Sequence, residues 1–194
     1  MVETRKATRA DVPALSETVA RAFHDDPVMT WIYPTHARRR RFIEISLSKL
    51  HLRHDGVYTT DGIEGGAIWD PPGHWKLSVL DMIRTGPSMF RVTGRNTARG
   101  MRLMNAIERR HPTEPHYYLA VLGTHPDHQG KGVGSALMAP VLEHCDSEGV
   151  PAYLESSKEQ NVPFYRRHGF EVTERLEPPG GPPVWLMWRD PRPA

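Results

Sequence analysis

Apolar side chains fall at helical spacing at Val12, Leu15, Val19 and Phe23, behind Thr8 and Asp11, either of which can cap a helix start. The pattern predicts a short strand over residues 4–8, then a helix that Asp25-Asp26-Pro27 brings to an end. A second helical pattern covers residues 36–54, with Phe42, Ile45, Leu47 and Leu50 as buried positions. Residues 57–60 and 63–69 read as a hairpin, with Asp61-Gly62 supplying the positive φ of its turn. From 76 to 110 the helical pattern is broken at Gly86-Pro87 and loosened at Gly94 and Gly100, which predicts two or three short helices.

The C-terminal half is more regular. Residues 117–122 form an apolar strand, and a helix over 132–148 carries Gly134, Leu137, Met138, Val141, Leu142 and Cys145 on one stripe, with a kink expected at Pro140. A strand over 152–155, a short helix over 159–168 and a strand pair over 170–175 and 184–188 complete the chain. Strand, helix, strand, helix implies a crossover connection and therefore a parallel pair inside a mixed sheet.

Composition narrows the class. At 194 residues and 38% hydrophobic content the chain is expected to be one domain, residues 1–194, with one core. No apolar run approaches the roughly 20 residues a bilayer span needs, and the first residues lack a signal-peptide stretch, so a cytoplasmic protein without a membrane partner is expected. The lone Cys145 excludes an internal disulfide and a paired-cysteine metal clip. Its place on an apolar stripe marks it as a small hydrophobe rather than a nucleophile. A formal charge of +2 gives no polyanion-binding surface. The local run Arg38 to Arg41 is the one basis for nucleic-acid binding, and it lacks aromatic interleaving, so a solvated helix face is the expected reading. His51 and His54 have a metal-compatible spacing without a third convergent ligand, and no metal is expected.

The chemistry concentrates in Leu122-Gly123-Thr124-His125-Pro126-Asp127-His128-Gln129-Gly130-Lys131-Gly132-Val133-Gly134-Ser135, a strand end running into a glycine-rich helix start. Unpaired N–H groups at the positive end of a helix dipole, with no Cβ in the way, suit a phosphate; Lys131 adds charge. Lys131 is followed by Gly132 rather than Ser or Thr, and Ser135 stands where a dinucleotide fingerprint has its last glycine, so neither nucleotide loop fits. A glycine-rich cap without a ligand is the plain alternative.

Gln129-Gly130-Lys131-Gly132-Val133-Gly134 resembles the Q/R-x-x-G-x-G/A motif of GNAT N-acetyltransferases, and Asn161 to Phe170 resembles that family's later motif. The likeness extends to puromycin N-acetyltransferase-like members through Glu114-Pro115, Gly149-Val150-Pro151-Ala152, Leu154-Glu155 and Pro163-Phe164-Tyr165, and is weakest over 73–112. It implies an α/β fold, a mixed sheet of about six or seven strands with helices on both faces. In that fold the pantetheine arm enters a gap between two splayed parallel strands. It also implies acetyl-CoA as co-substrate and direct transfer to the amine of a small molecule, antibiotic-like or polyamine-like, by a monomer or homodimer. The cofactor residues expected from it are Val121, Leu122, Thr124, Gln129, Gly130, Lys131, Gly132, Val133, Gly134, Ser135, Asn161 and Tyr165, with an oxyanion donor among the backbone N–H groups near Val121 or Leu122.

Acetyl transfer to an amine needs a base for the ammonium, since a lysine-like amine with a pKa of about 10.4 is protonated at neutral pH, and an acid for the departing thiolate. Glu155, at a strand end, is the expected base; capping the Ser156-Ser157 turn is its structural alternative. Tyr165 is the expected acid, with packing beside Phe164 as the alternative. Asp25, Asp26, Trp31 and Tyr33 combine charge and aromatic rings suited to a cationic acceptor, although the two acids also serve to end a helix before Pro27. Two rival classes remain: a CoA-binding sensor without catalysis, and a nucleic-acid binder using Arg38 to Arg41.

Overall fold

The computed structural model describes residues 2–192. Its centre is a seven-stranded sheet in the order β1-β2-β3-β4-β5-β7-β6. The strands are β1 Thr4–Lys6, β2 Val57–Thr60, β3 Gly65–Asp70, β4 Tyr117–Thr124, β5 Ala152–Ser156, β6 Glu171–Leu176 and β7 Val184–Arg189. Only β4 and β5 pair in parallel, as the crossover pattern requires; every other neighbour is antiparallel.

Helices cover both faces. On one face lie α1 Val12–Ala22, α2 Pro27–Ile32, α3 His36–Ser46, α4 Val79–Thr93 and α5 Thr97–Glu108, which bury Leu15, Val19, Ile43, Leu103 and Ile107 with Ile68, Tyr153 and Leu186 of the sheet. On the other lie α6 Val133–Glu148 and α7 Val162–Arg167, with Leu137, Met138, Val141 and Cys145 packed on Trp69, Leu119, Leu154 and Met187. The α6 stripe read from the sequence is therefore a core face, and Pro140 lies within a helix that runs unbroken to Glu148. Strand β3 is sandwiched so tightly that a Cβ on Gly66 would come 2.7 Å from Leu15 Cδ1, and one on Gly65 would come 2.8 Å from the Gly123 carbonyl oxygen.

Four elements depart from the sequence pattern for identifiable reasons. A helix, α2, occupies the segment after Asp26, because the Asp26 carboxylate accepts from Met29 N–H at 2.8 Å and Pro27 fits a first helical turn. The long helix from His36 changes to a π turn over Leu47–His51, which keeps Leu47 and Leu50 buried while His51 Nδ1 reaches Asp70 Oδ1 at 2.7 Å. In the β2–β3 turn the positive φ belongs to Ile63, at 54°, and not to Gly62; its carbonyl accepts from Thr18 Oγ1 and its side chain packs on the α1 core. Finally, α4 runs through Gly86-Pro87 without a break. Pro87 and Ile83, whose carbonyl loses its partner there, both face outward, so water can satisfy that carbonyl.

The start of α4 is held by one carboxylate. Asp81, almost wholly buried, accepts from Ser78 Oγ at 2.7 Å and takes both Arg53 N–H groups at 2.6 and 2.7 Å, while Ser78 Oγ accepts from Asp81 N–H. These bonds hold the Asp81 carboxyl well below the usual carboxylate range, the Arg53 guanidinium being the largest cause. Because the folded state lowers this pKa, the stabilisation is complete above about pH 4 and is lost as pH falls toward the folded value. We expect Asp81→Asn to destabilise the fold by about 1–3 kcal/mol in chemical denaturation at neutral pH, with a difference from wild type that shrinks on acidification. A pH-independent difference would deny the ion pair this role.

Candidate active site

Pairing between β4 and β5 stops early. The register runs Tyr117↔Ala152, Tyr118↔Tyr153 and Leu119↔Leu154 and goes no further, although β4 continues to Thr124 along β3 and β5 to Ser156 along β7. At the same level β3 meets β4 with Trp69 opposite Leu119 but Ile68 opposite Val121, so Ala120 is an extra residue in β4. A bulge bends its strand, and here it turns β4 away from β5. Past Leu119 the polar backbone groups that would have faced β5, on the stretch holding Val121, Leu122 and Thr124, open into the gap.

At the far end of β4 the chain makes a turn over Pro126–His128 and enters α6 through Gly130 and Gly132, at φ 74° and 83°. A Cβ at either glycine would meet no protein atom within 4 Å, so the concave side of this loop is open. The first bond inside the helix runs from Ala136 N–H to the Gly132 carbonyl at 3.0 Å, leaving Val133, Gly134 and Ser135 to present the helix's first N–H groups. Gln129 Nε2 donates to the Thr124 carbonyl at 3.2 Å and Lys131 Nζ to the Asp127 carbonyl at 2.8 Å, which shapes the loop. Gly134 lets α7 approach: a Cβ there would lie 3.2 Å from Phe164 Cζ, and Ser135 Oγ sits 3.0 Å from His168 Nε2. This contact brings the Asn161 to His168 segment beside the loop. These residues fit an extended anionic ligand whose phosphates rest on a helix start.

On the opposite face of the sheet Glu155 is buried where the strands part. Alternation along β5 places it on the same side as Tyr153. Glu155 Oε2 accepts from Tyr118 Oη at 2.5 Å, and Oε1 lies 3.5 Å from His111 Nδ1 with no hydrogen-bond partner among the described residues. His111 is covered by the Trp75 ring, stacked at 3.6 Å between centroids, and meets Tyr118 and Tyr153 edge-on. Its Nε2 is 3.0 Å from His116 Nε2, and His116 Nδ1 is 2.6 Å from the Glu114 carbonyl oxygen. Burial, then the Glu155 charge, pushes the Tyr118 phenol far above its ordinary value, so it remains a donor to the carboxylate.

Tyr165 lies on the α6 side, its ring edge-on to Phe164 and Phe170, and burial raises its pKa with a smaller contribution from the Asp26 charge. Asp25 and Asp26 reach the loop after β5, Asp25 pairing with Lys158 and Asp26 accepting from Ser157 Oγ. These two acids thus hold one wall of the gap. Tyr33, expected to face an acceptor, is instead a core residue stacked on Phe42 at 4.5 Å, because the short α2 turns it inward; Trp31 packs on Gly181 with Arg99 over its ring.

The arginine run makes no continuous surface either. Arg39 is buried on the Tyr33 carbonyl, Arg38 bonds the Thr93 carbonyl, and Arg40 and Arg41 pair with Glu17 and Glu44. Cys145 is fully buried and its thiol is pushed up to about 12, chiefly by burial. The sequence reading missed Tyr118, His111, His116, Tyr153 and Trp75. A period-two reading of β4 and β5 would have put Tyr118 and Tyr153 on the face of Glu155; nothing local marks His111 or Trp75.

No helix among the described residues is long and apolar enough to cross a membrane. Residues 84–170 match the model of the acetyltransferase (GNAT) family. The chain is similar to an uncharacterized N-acetyltransferase of Schizosaccharomyces pombe, 25% identical over 89% of this chain and 75% of that protein. Among solved structures it is similar to a histone acetyltransferase HPA2 and related acetyltransferase from Corynebacterium glutamicum, 26% identical, with TM-score 0.75 over 100% of this chain and 99% of that one. It also shares the fold of a polyamine N-acetyltransferase from Drosophila melanogaster, 14% identical, with TM-score 0.68 over 98% and 100% of the two chains. With that fold around its parted strands and the family's pattern across residues 84–170, the chain has the GNAT fold and is similar over its whole length to acetyltransferases.

Proposed function

We propose that the protein transfers the acetyl group of acetyl-CoA to the primary amine of a small basic molecule, directly and within one ternary complex. The observation that carries this reading is the buried Glu155 carboxylate, ringed by Tyr118, Tyr153 and His111, at the place where β4 leaves β5. A carboxylate beside aromatic rings favours a cation. Related folds that act on polyamine-type amines support a basic acceptor: the Drosophila melanogaster enzyme forms N-acetylagmatine, and an agmatine N-acetyltransferase aligns with 97% of this chain.

Acetyl-CoA supplies the thioester. The N–H groups of Val133, Gly134 and Ser135, with Gln129, Gly130, Lys131 and Gly132, hold its pyrophosphate, and Asn161 orients the pantetheine arm. Glu155 Oε1 takes a proton from the acceptor ammonium while Tyr118 keeps its bond to Oε2. Backbone N–H groups of β4 near Val121 and Leu122 meet the oxyanion as the amine attacks. Tyr165 protonates the departing thiolate, its raised pKa keeping the phenol protonated until that charge appears, and the tyrosinate recovers its proton from the nitrogen as the amide forms.

Three outcomes test these roles. Saturating acetyl-CoA should raise the melting temperature of the wild type, about 2.7 kcal/mol at a hundred times Kd, and Gly132→Val or Gly134→Val should abolish the rise; normal affinity in both folded variants refutes the cradle. Glu155→Gln should lower turnover most at low pH, where the amine is protonated, and leave acetyl-CoA binding intact. A flat effect of nil across pH returns Glu155 to a structural role. Tyr165→Phe should slow single-turnover chemistry roughly tenfold to a thousandfold with little change in stability. Were the tyrosine only packing, the melting point would move and the single-turnover rate would not.

A further inference from the structure

One carbonyl oxygen fixes the hydrogen positions of two buried histidines. The Glu114 carbonyl can only accept, so His116 Nδ1, 2.6 Å away, carries a hydrogen. Burial holds the His116 pKa below its ordinary value, the ring is neutral, and its Nε2 is therefore a bare acceptor. His111 Nε2, 3.0 Å from it, must donate. What is left of His111 is Nδ1, which faces Glu155 Oε1 at 3.5 Å, the one oxygen of that carboxylate without a hydrogen bond among the described residues. The other titratable groups against His111 are Tyr153 from β5 and Tyr118 from β4, both pushed up by burial and neutral, with Asp70 and Glu174 acting on those tyrosines from further out. Trp75 closes the remaining side of the ring.

We propose that His111 is the positioning and proton-storing partner of Glu155: its Nδ1 takes up the proton that Glu155 removes from the acceptor, while His116 and the Glu114 carbonyl lock its tautomer. This rests on Glu155 acting as the base. In the first step an ammonium N–H bond breaks and an O–H bond forms on Oε1. In the second that O–H breaks and an N–H forms on His111 Nδ1, which restores the carboxylate and leaves an imidazolium beside it. The chain goes no further, because a peptide carbonyl ends it, so the proton returns through Glu155 and leaves for solvent with the product. The pair thus passes from a net charge of one negative to neutral, and the carboxylate that Tyr118 bonds at Oε2 is an anion again during attack.

The test is a two-bond proton–nitrogen correlation spectrum of the free protein carrying nitrogen-15 histidine, recorded at neutral pH. His116 should show the Nδ1–H tautomer, and His111 should carry a hydrogen on Nε2. Glu155→Gln removes the facing carboxylate and should shift the His111 Nδ1 resonance while leaving its Nε2 assignment in place. A His116 in the Nε2–H form, or a His111 Nδ1 resonance unmoved in Glu155→Gln, overturns the proposal. In kinetics, His111→Asn should reduce kcat for a strongly basic amine by about tenfold or more, leave KM for acetyl-CoA unchanged, and have little effect with an amine that is already neutral. If Glu155→Gln keeps full turnover, the base assignment fails. If Glu155→Gln is slow while His111→Asn keeps the wild-type pH profile, the base stands and the relay falls. The spectra of the wild type and Glu155→Gln decide the matter even where His111→Asn does not fold.

Discussion

The rest of this structure depends on two parallel strands ceasing to pair. Leaving strand backbone unpaired in a protein interior costs free energy unless another partner satisfies it, and a bulge at Ala120 is what turns β4 aside. The same divergence aims one end of β4 at the glycine-rich entry to α6 and leaves the end of β5 free to carry Glu155. Both faces of the candidate site are therefore consequences of one interruption in a ladder, placed three residue pairs after it begins.

The two sides of that interruption are built differently. The α6 side relies on backbone: positive φ at Gly130 and Gly132, open N–H groups, and a close approach of α7 at Gly134. The other side relies on side chains whose protons are ordered by burial and by a carbonyl, from Tyr118 through Glu155 and His111 to His116. Asp25 and Asp26 join the segment before α2 to the loop after β5, so the wall between the two sides is tied across more than a hundred residues of chain. Burial and a neighbouring cation act oppositely on these acids. Asp26 is raised mainly by desolvation, and Asp25 is lowered by its hydrogen bond from Lys158.

Local signals in the sequence were enough for the α6 stripe, the order of the last four strands and helices, and the glycine-rich loop, because each is set by residues close together in the chain. The missing features are those set from afar. Ile63 takes the positive φ because its side chain and carbonyl are claimed by α1, and the first turn of α4 is anchored by Arg53, which lies 28 residues before Asp81. The divergence is the same at the site. Gln129 to Ser135 announce themselves as a run, whereas His111 and Trp75 reach Glu155 only through folding, from segments where resemblance to known enzymes is weakest. Tyr33 illustrates the opposite error, an aromatic whose neighbours in sequence suggested a surface and whose neighbours in space are Phe42 and Arg39.

The state of Cys145 has a practical bearing on the chemistry. It is the chain's single thiol, sealed in the α6 core with its pKa pushed up to about 12, so at neutral pH almost none of it is the reactive thiolate. A disulfide dye added to an assay of the proposed transfer is thus spared by this thiol and reads only the thiol released from the donor, whereas oxidants of methionine meet the exposed Met82, Met101 and Met104.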